Sequence, residues 1–160
     1  MAGFEHDDLQ GQVIDLGTGT GRLAIGAALM GTERIVGVDV DPKAIKLAQL
    51  NAHKASVSVD WAVGDLDTVQ GRFDTVIMNP PYGTRTPHKD IKFLAKALEL
   101  APIAYSIHKS STREFLLRFA KRRSWKVDGI RSAGMEIPRL FEFHRTKWKT
   151  VQVDLYRMTR

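Results

Sequence analysis

The chain of 160 residues contains no cysteine, which excludes a disulfide framework and a thiolate metal site. No apolar run approaches the length of a membrane span. The first eight residues, Met1-Ala2-Gly3-Phe4-Glu5-His6-Asp7-Asp8, are acidic where a signal peptide would be basic and then apolar. The five histidines are scattered without paired spacing, so they offer no metal-ligand set. Internal repeats, low-complexity tracts and linkers are also missing. These absences predict a single cytoplasmic domain over residues 1–160, long enough to bury a substantial core.

Basic residues are scarce in one half only. Residues 1–84 hold six Lys/Arg against eleven Asp/Glu, a balance of −5, whereas residues 85–160 hold eighteen against seven, a balance of +11. Two readings fit such a split: a solvated basic surface, or a face that tracks the phosphates of a nucleic acid. Charge alone does not choose between them.

Periodicity supplies the fold. Gln12–Leu16 reads as a strand, followed at once by Gly17-Thr18-Gly19-Thr20-Gly21 and a small-residue helix from Arg22 to Met30 that stops at Gly31. A second strand, Arg34–Asp39, leads to Asp41-Pro42, an N-cap and first-turn proline opening a helix to about Lys54. Val57–Val63 alternates as a half-exposed edge strand should. Phe73–Met78 and Ile103–His108 are further strands, separated by a helix at about Lys89–Leu100 with Ile91, Leu94, Ala95 and Leu98 on one face. Ser111-Thr112-Arg113-Glu114 has the form of a capping box, starting a helix to about Arg123. Strands near Trp125–Arg131 and Thr150–Arg157 close the chain. Alternation of strand and helix followed by two strands predicts an α/β fold: a doubly wound, Rossmann-like sheet, mostly parallel with an antiparallel edge strand. Ligands bind such sheets at the carboxyl ends of the strands, where Asp15–Gly21, Asp39, Asp65 and Asn79–Tyr82 all fall.

Glycines at 17, 19 and 21 let the backbone turn sharply at a helix start and approach a ligand closely. The third glycine comes one position too early for the dinucleotide fingerprint. Asp39 is placed to accept from both ribose hydroxyls of a nucleoside, and Asp65 from an adenine amino group with Leu66 covering the ring. Arg22 is the only basic residue in the Asp15–Arg22 loop, so phosphate is poorly served and S-adenosylmethionine (SAM) is favoured over a dinucleotide. Residues 12–82 resemble a class I SAM-dependent methyltransferase. The resemblance implies that Asp15, Gly17, Gly19, Asp39 and Asp65 bind the cofactor, with Thr18, Gly21, Val40, Leu66 and Asn79 beside them as further candidates.

Asn79-Pro80-Pro81-Tyr82 matches the motif of methyltransferases that act on amide or exocyclic amino nitrogen. Two prolines make the chain stiff and extended, with carbonyls left over for a ligand. A conjugated amino nitrogen is a poor nucleophile because its lone pair is delocalised. Accepting its two hydrogens on the Asn79 side-chain oxygen and the Pro80 carbonyl favours a pyramidal nitrogen whose lone pair can point along the S–CH₃ bond. The work is positioning and electrostatics, with no strong base required before attack. Tyr82 is placed to stack on an extruded base.

The tetrapeptide also occurs in enzymes that methylate a glutamine side chain of translation release factors. Val76–Thr84, Phe93-Leu94, Ala104–Glu114 with its His108-Lys109-Ser110-Ser111 segment, Phe143-His144 and Val153-Asp154-Leu155 more closely resemble the archaeal and eukaryotic methyltransferase-like family that makes N6-methyladenosine in small-subunit ribosomal RNA. That resemblance covers roughly residues 11–157. It implies RNA contact from the basic half, with Lys109, Lys121, Arg122, Arg123, Arg139, Arg145, Lys147 and Lys149 as candidates taken as a group. Lys121-Arg122-Arg123 suits a solvated helix end equally well. It further implies a small zinc-binding activator subunit, for which edge strand Val57–Val63 is a ready pairing surface. A glutamine-N5 protein methyltransferase and a non-catalytic RNA-binding remnant stay as alternatives. The resemblance also implies a helical segment ahead of the first strand, covering cofactor and target base, whereas about eleven residues precede Gln12. These 160 residues alone are therefore expected to bind cofactor weakly and turn over poorly; titration showing near-micromolar affinity with full turnover would refute this.

Overall fold

The computed structural model describes residues 7–81, 89–138 and 148–160. Seven strands form one sheet: β1 (Gln12–Leu16), β2 (Arg34–Asp39), β3 (Asp60–Val63), β4 (Thr75–Met78), β5 (Ile103–Lys109), β6 (Lys126–Pro138) and β7 (Trp148–Thr159). Their spatial order is β3-β2-β1-β4-β5-β7-β6. The first five run parallel; β7 adds antiparallel to β5, and β6 adds antiparallel to β7, so that only β7 runs against the rest. The doubly wound, mostly parallel sheet expected from the sequence is therefore observed, with antiparallel pairing at one edge.

Four helices cover the faces: α1 (Arg22–Leu29), α2 (Pro42–Lys54), α3 (Lys89–Leu100) and α4 (Arg113–Arg122). On one face Val13, Ile35, Ile77 and Tyr105 bury against Ala24 and Ala27 of α1. On the other, Ile14, Leu16, Val76, Met78 and Ala104 pack against Leu94 and Leu98 of α3 and Leu116 and Phe119 of α4. The strict alternation Val13/Ile14/Asp15/Leu16 is what lets one short strand serve both layers. Strand order reverses between β1 and β4, and that switch point opens a crevice at their carboxyl ends.

Local chemistry sets the element ends. Asp41 caps α2, its carboxylate accepting the Lys43 amide at 2.8 Å, with Pro42 in the first turn. Val57 donates its amide to the Ala52 carbonyl instead of a ladder, so the alternating stretch Val57–Val63 pairs with β2 only from Asp60 onward. It is an edge strand, as expected, but a short one. Trp61 lies opposite Gly37 on β2, where a Cβ would stand 2.5 Å from the ring; only glycine lets the indole settle there.

The capping box expected at Ser111–Glu114 is not formed. A 3-10 turn, Ser110–Thr112, precedes α4, and no side chain caps the helix. Thr112 Oγ1 instead donates to the Lys109 carbonyl at 2.8 Å, while Ser110 and Arg113 turn inward to Asp154. The last two strands are longer than their patterns suggested. β5 stops pairing with β7 at Lys109↔Val153, yet Trp148–Gln152 continue pairing with Gly134–Pro138. This two-stranded arm extends beyond the carboxyl end of β5 by about 17 Å, at about 3.3 Å per residue.

Candidate active site

The glycine turn is built on two carboxylates. Asp15, on β1, is buried; its Oδ2 accepts the Thr18 hydroxyl at 2.5 Å and the Ala24 amide at 3.0 Å. It thereby satisfies an amide in the first turn of α1, whose own N-cap, Gly21, has no side chain to offer. Asp39, at the end of β2, accepts the Gly19 amide on Oδ2 at 2.8 Å and the Asp41 amide on Oδ1 at 3.0 Å. The Thr18 amide is tied to the Val38 carbonyl at 2.9 Å. Gly17, Gly19 and Gly21 all adopt positive φ, between 56° and 85°, as the turn requires.

Beside this turn lies a cleft of about 650 Å³, lined among others by Leu16, Gly17, Asp39, Val40, Asp65, Leu66, Asn79 and Pro81. Seven of the sequence candidates therefore meet on one surface: Gly17, Asp39, Val40, Asp65, Leu66, Asn79 and Pro81. Asp65 caps the 3-10 turn Leu66–Thr68 through the Asp67 amide at 3.0 Å. Asp15, Thr18 and Gly21 are not in the cleft wall. The first two sit beneath the turn, bonded to each other, and Gly21 is covered by Trp61. Pro80 is buried behind Asn79. Tyr82 lies outside the described residues.

Ile91 and Phe93, from the first turns of α3, complete the wall and were not singled out for the site from sequence. Phe93 leaves no room for a side chain at position 17, where a Cβ would be 2.7 Å from its ring. The signal was present: Phe93 falls off the Ile91/Leu94/Ala95/Leu98 stripe, and a large apolar residue out of phase needs a second surface to cover it.

The donor set suits a cationic nucleoside. Asp39 and Asp65 are hydrogen-bond acceptors for hydroxyl and amino groups, and each carboxylate has lone pairs beyond its single backbone bond per oxygen. Leu16, Val38, Leu66, Val69, Ile91 and Phe93 supply apolar cover for a ring. Asp39, Asp65 and Asp67 face a single lysine, Lys92, so the lining favours positive charge over phosphate. The residues present thus fit SAM.

The basic candidates are spread over the two ends of the sheet. Lys109 ends β5 at the cleft end, where the β6–β7 arm begins. Lys149 lies on that arm, paired with Ile137. Lys121, Arg122 and Arg123 stand at the opposite, amino end of the sheet, about 20 Å from Lys109 along β5. The Arg123 guanidinium rests 4.0 Å from the Phe119 ring centroid, an arrangement natural to a helix C-terminus. Arg139, Arg145 and Lys147 lie outside the described residues.

Burial without an opposite charge raises the Asp15 carboxyl to about 7, desolvation outweighing the hydrogen bonds from Thr18 and Ala24; nearby Asp39 adds to the rise. Its Oδ1 is buried with no hydrogen-bond partner among the described residues. A carboxyl harder to ionise folded than unfolded contributes stability below about pH 4 that is lost as pH rises through about 7. Asp15→Asn, neutral throughout, should therefore gain on the wild type in melting temperature between pH 5 and pH 8. His108, which burial lowers to about 4, is common to both proteins and cancels. A pH-independent difference in melting temperature would show that Asp15 is not charged at a cost.

The ribosomal protein L11 methyltransferase (PrmA) family model matches residues 4–80. The rRNA N(6)-adenosine-methyltransferase METTL5 of Danio rerio is 35% identical, over 96% of this chain and 78% of that protein. An uncharacterized protein of Methanocaldococcus jannaschii is 36% identical, over 97% and 76% respectively. The crystal structure of a candidate RNA methyltransferase from Pyrococcus horikoshii superposes with a TM-score of 0.90 at 35% identity, covering 99% of this chain and 79% of that one. Near-full-length similarity at this level, on a sheet whose acidic cleft and Asn-Pro-Pro turn share one wall, means that the chain belongs to the METTL5 family of SAM-dependent rRNA N6-adenosine methyltransferases.

Proposed function

We propose that this protein methylates N6 of an adenosine in small-subunit ribosomal RNA, and that Asn79, Pro80, Pro81 and Tyr82 hold the target base. The observation that carries this reading is the shared wall: Asn79 and Pro81 border the same cleft as Asp39 and Asp65. When bound, SAM supplies an electrophilic methyl group. Asp39 accepts from the ribose hydroxyls, using lone pairs not taken by Gly19 and Asp41, and Asp65 with Leu66 reads the adenine. Gly17 and Phe93, packed against each other in the same wall, would border the bound cofactor. The Asn79 oxygen and the Pro80 carbonyl accept the two hydrogens of the acceptor nitrogen and aim its lone pair into the cleft. Tyr82 stacks on the base. Positioning of this kind supplies much of the rate without a general base.

Ribosomal RNA is the acceptor supported by the names of the relatives. The arm at the carboxyl end of β5 gives that acceptor a place to lie, with Lys109 at its root and Lys149 along it. Arg139, Arg145 and Lys147 belong to the same basic segment in sequence. The Lys121–Arg123 cluster then meets RNA only if the substrate wraps to the far end. A cytoplasmic location belongs to the same proposal. Among the described residues no helix is long and apolar enough to cross a membrane.

A small zinc-binding activator subunit on the β3 edge is the finer part of this reading. β3 pairs only with β2, and exposed apolar side chains lie near that edge of the fold: Val63 at its end, 56% exposed, and Leu47 and Leu50 on α2. Unpaired strand groups beside apolar side chains suit strand addition.

Incubation with labelled SAM should place label on N6 of adenosine in small-subunit RNA and none on a release-factor glutamine. Label on the release factor alone would replace this reading with a glutamine acceptor. Asn79→Ala should lower turnover by about a hundredfold or more while cofactor affinity changes little; retained turnover would remove Asn79 from its role. If an activator docks on β3, Val63→Asp should abolish its stimulation of the enzyme without altering basal cofactor affinity. Undiminished stimulation would move the docking surface elsewhere.

A further inference from the structure

Asp154 accepts five hydrogen bonds, and nothing in the reaction calls for it. It lies on β7, fully buried, opposite His108 of β5 on one side and Ser132 of β6 on the other. Its Oδ1 accepts from Arg113 Nη2 at 2.7 Å, Ser110 Oγ at 2.8 Å and Ser132 Oγ at 2.8 Å. Its Oδ2 accepts from Arg113 Nε at 2.8 Å and the Tyr156 hydroxyl at 3.1 Å. Arg113 Nη2 also reaches Ser132 Oγ at 2.9 Å. The Arg113 fork and these hydroxyls hold the Asp154 carboxyl well below the ordinary carboxylate range.

The five donors come from four places: the turn after β5, the first residue of α4, β6, and β7 itself. Asp154 stands one residue inside the point where the arm leaves β5, the pair Lys109↔Val153. The cluster continues toward the catalytic turn. Tyr156 meets the His108 ring edge to face at 6.0 Å, and His108 Nε2 is 2.6 Å from Ser106 Oγ. Ser106 is aligned with Met78, the last residue of β4, and buried Pro80 follows two residues on. Buried side-chain contacts thus run from Asp154 through Tyr156 and His108 to Ser106, whose backbone pairs with Met78, the residue before Asn79.

We propose that Asp154 and Arg113 are positioning residues, which fix the angle of the β6–β7 arm against the Asn79–Pro81 turn and so set where RNA carried by the arm presents its adenosine. The proposal rests on the RNA-methyltransferase reading above. A fully buried carboxylate with five donors is rigid, whereas a two-stranded ribbon extending beyond its sheet bends easily at the root. A misplacement of about 1 Å at the reacting atoms can cost about a hundredfold in rate, so a rigid root has a kinetic consequence that core packing alone does not.

Two isosteric or near-isosteric variants separate positioning from folding. Asp154→Asn keeps the shape and loses the charge; Arg113→Lys, at a partly exposed position, keeps the charge and loses the fork. Both are expected to lower kcat on small-subunit RNA by about tenfold or more, with affinities for S-adenosylhomocysteine and RNA within about threefold of wild type. A kcat within about twofold of wild type in Arg113→Lys would overturn the proposal. So would parallel loss of S-adenosylhomocysteine affinity in both variants, because the cluster would then merely hold the fold. Hydrogen exchange gives a readout independent of activity. Arg113→Lys should speed exchange both in Ala133–Glu136 of the arm and in Thr75–Asn79, and acceleration confined to the arm overturns the coupling. If the wild type methylates no RNA, the functional reading fails while the exchange measurement still judges the positioning.

Discussion

The structure depends on what a carboxylate does at the end of a parallel strand. Asp39 takes the Gly19 amide and the Asp41 amide at once, so a single side chain ties the glycine turn of α1 to the start of α2. Asp15 does the corresponding work from below, holding Thr18 and the first turn of α1. With three glycines at positive φ the turn would be floppy without these bonds. Its shape fixes where Gly17 faces Phe93, and hence the width of the cleft. The same two acids give that region its negative charge. One of them is buried at a cost that its raised pKa reports, and the other is left half open to a ligand.

How much of this could be read in the sequence follows from the range of the interactions. Elements set by local chemistry were legible. Asp41-Pro42 caps α2 as its residues dictate, Gly31 ends α1, and alternation in Gln12–Leu16 places a strand between two layers. Elements that exist because of distant partners were not. Ser132-Ala133-Gly134 has little strand preference of its own, and it is a strand because β7 pairs with it residue by residue. Ser111–Glu114 reads as a capping box, yet a carboxylate forty-one residues away outbids it by drawing Arg113 and Ser110 inward. Local and tertiary preferences compete here, and the buried charge wins because leaving it unpaired would cost several kcal/mol.

The site shows the same division. Carboxylates and the Asn-Pro-Pro turn were visible because each ends a strand, and strand ends converge in a doubly wound sheet. Their roles were harder to separate. Asp15 and Asp39 look alike in sequence, but alternation turns Asp15 away from the cleft while Asp39 borders it. The basic half was visible only as a total. Folding splits it, because α4 runs antiparallel to β5 and carries Lys121–Arg123 to the amino end, while β5 and the arm carry Lys109 and Lys149 to the carboxyl end.

That split bears on how a fold of this size handles a large acceptor. The cofactor cleft is made by the first four strands and their loops, where the chain is acidic. The part extending past it is made by the last two strands, which are close to neutral: β6 carries two basic and two acidic residues, β7 two and one. β4, with Asn79 just past its end, is the strand between the two parts. Negative charge near the cleft would repel a polyanion from the cofactor side. The separation works only if the two halves stay in register, and among the described residues the carboxylate at the root of the arm, Asp154, is bonded to every element that meets there.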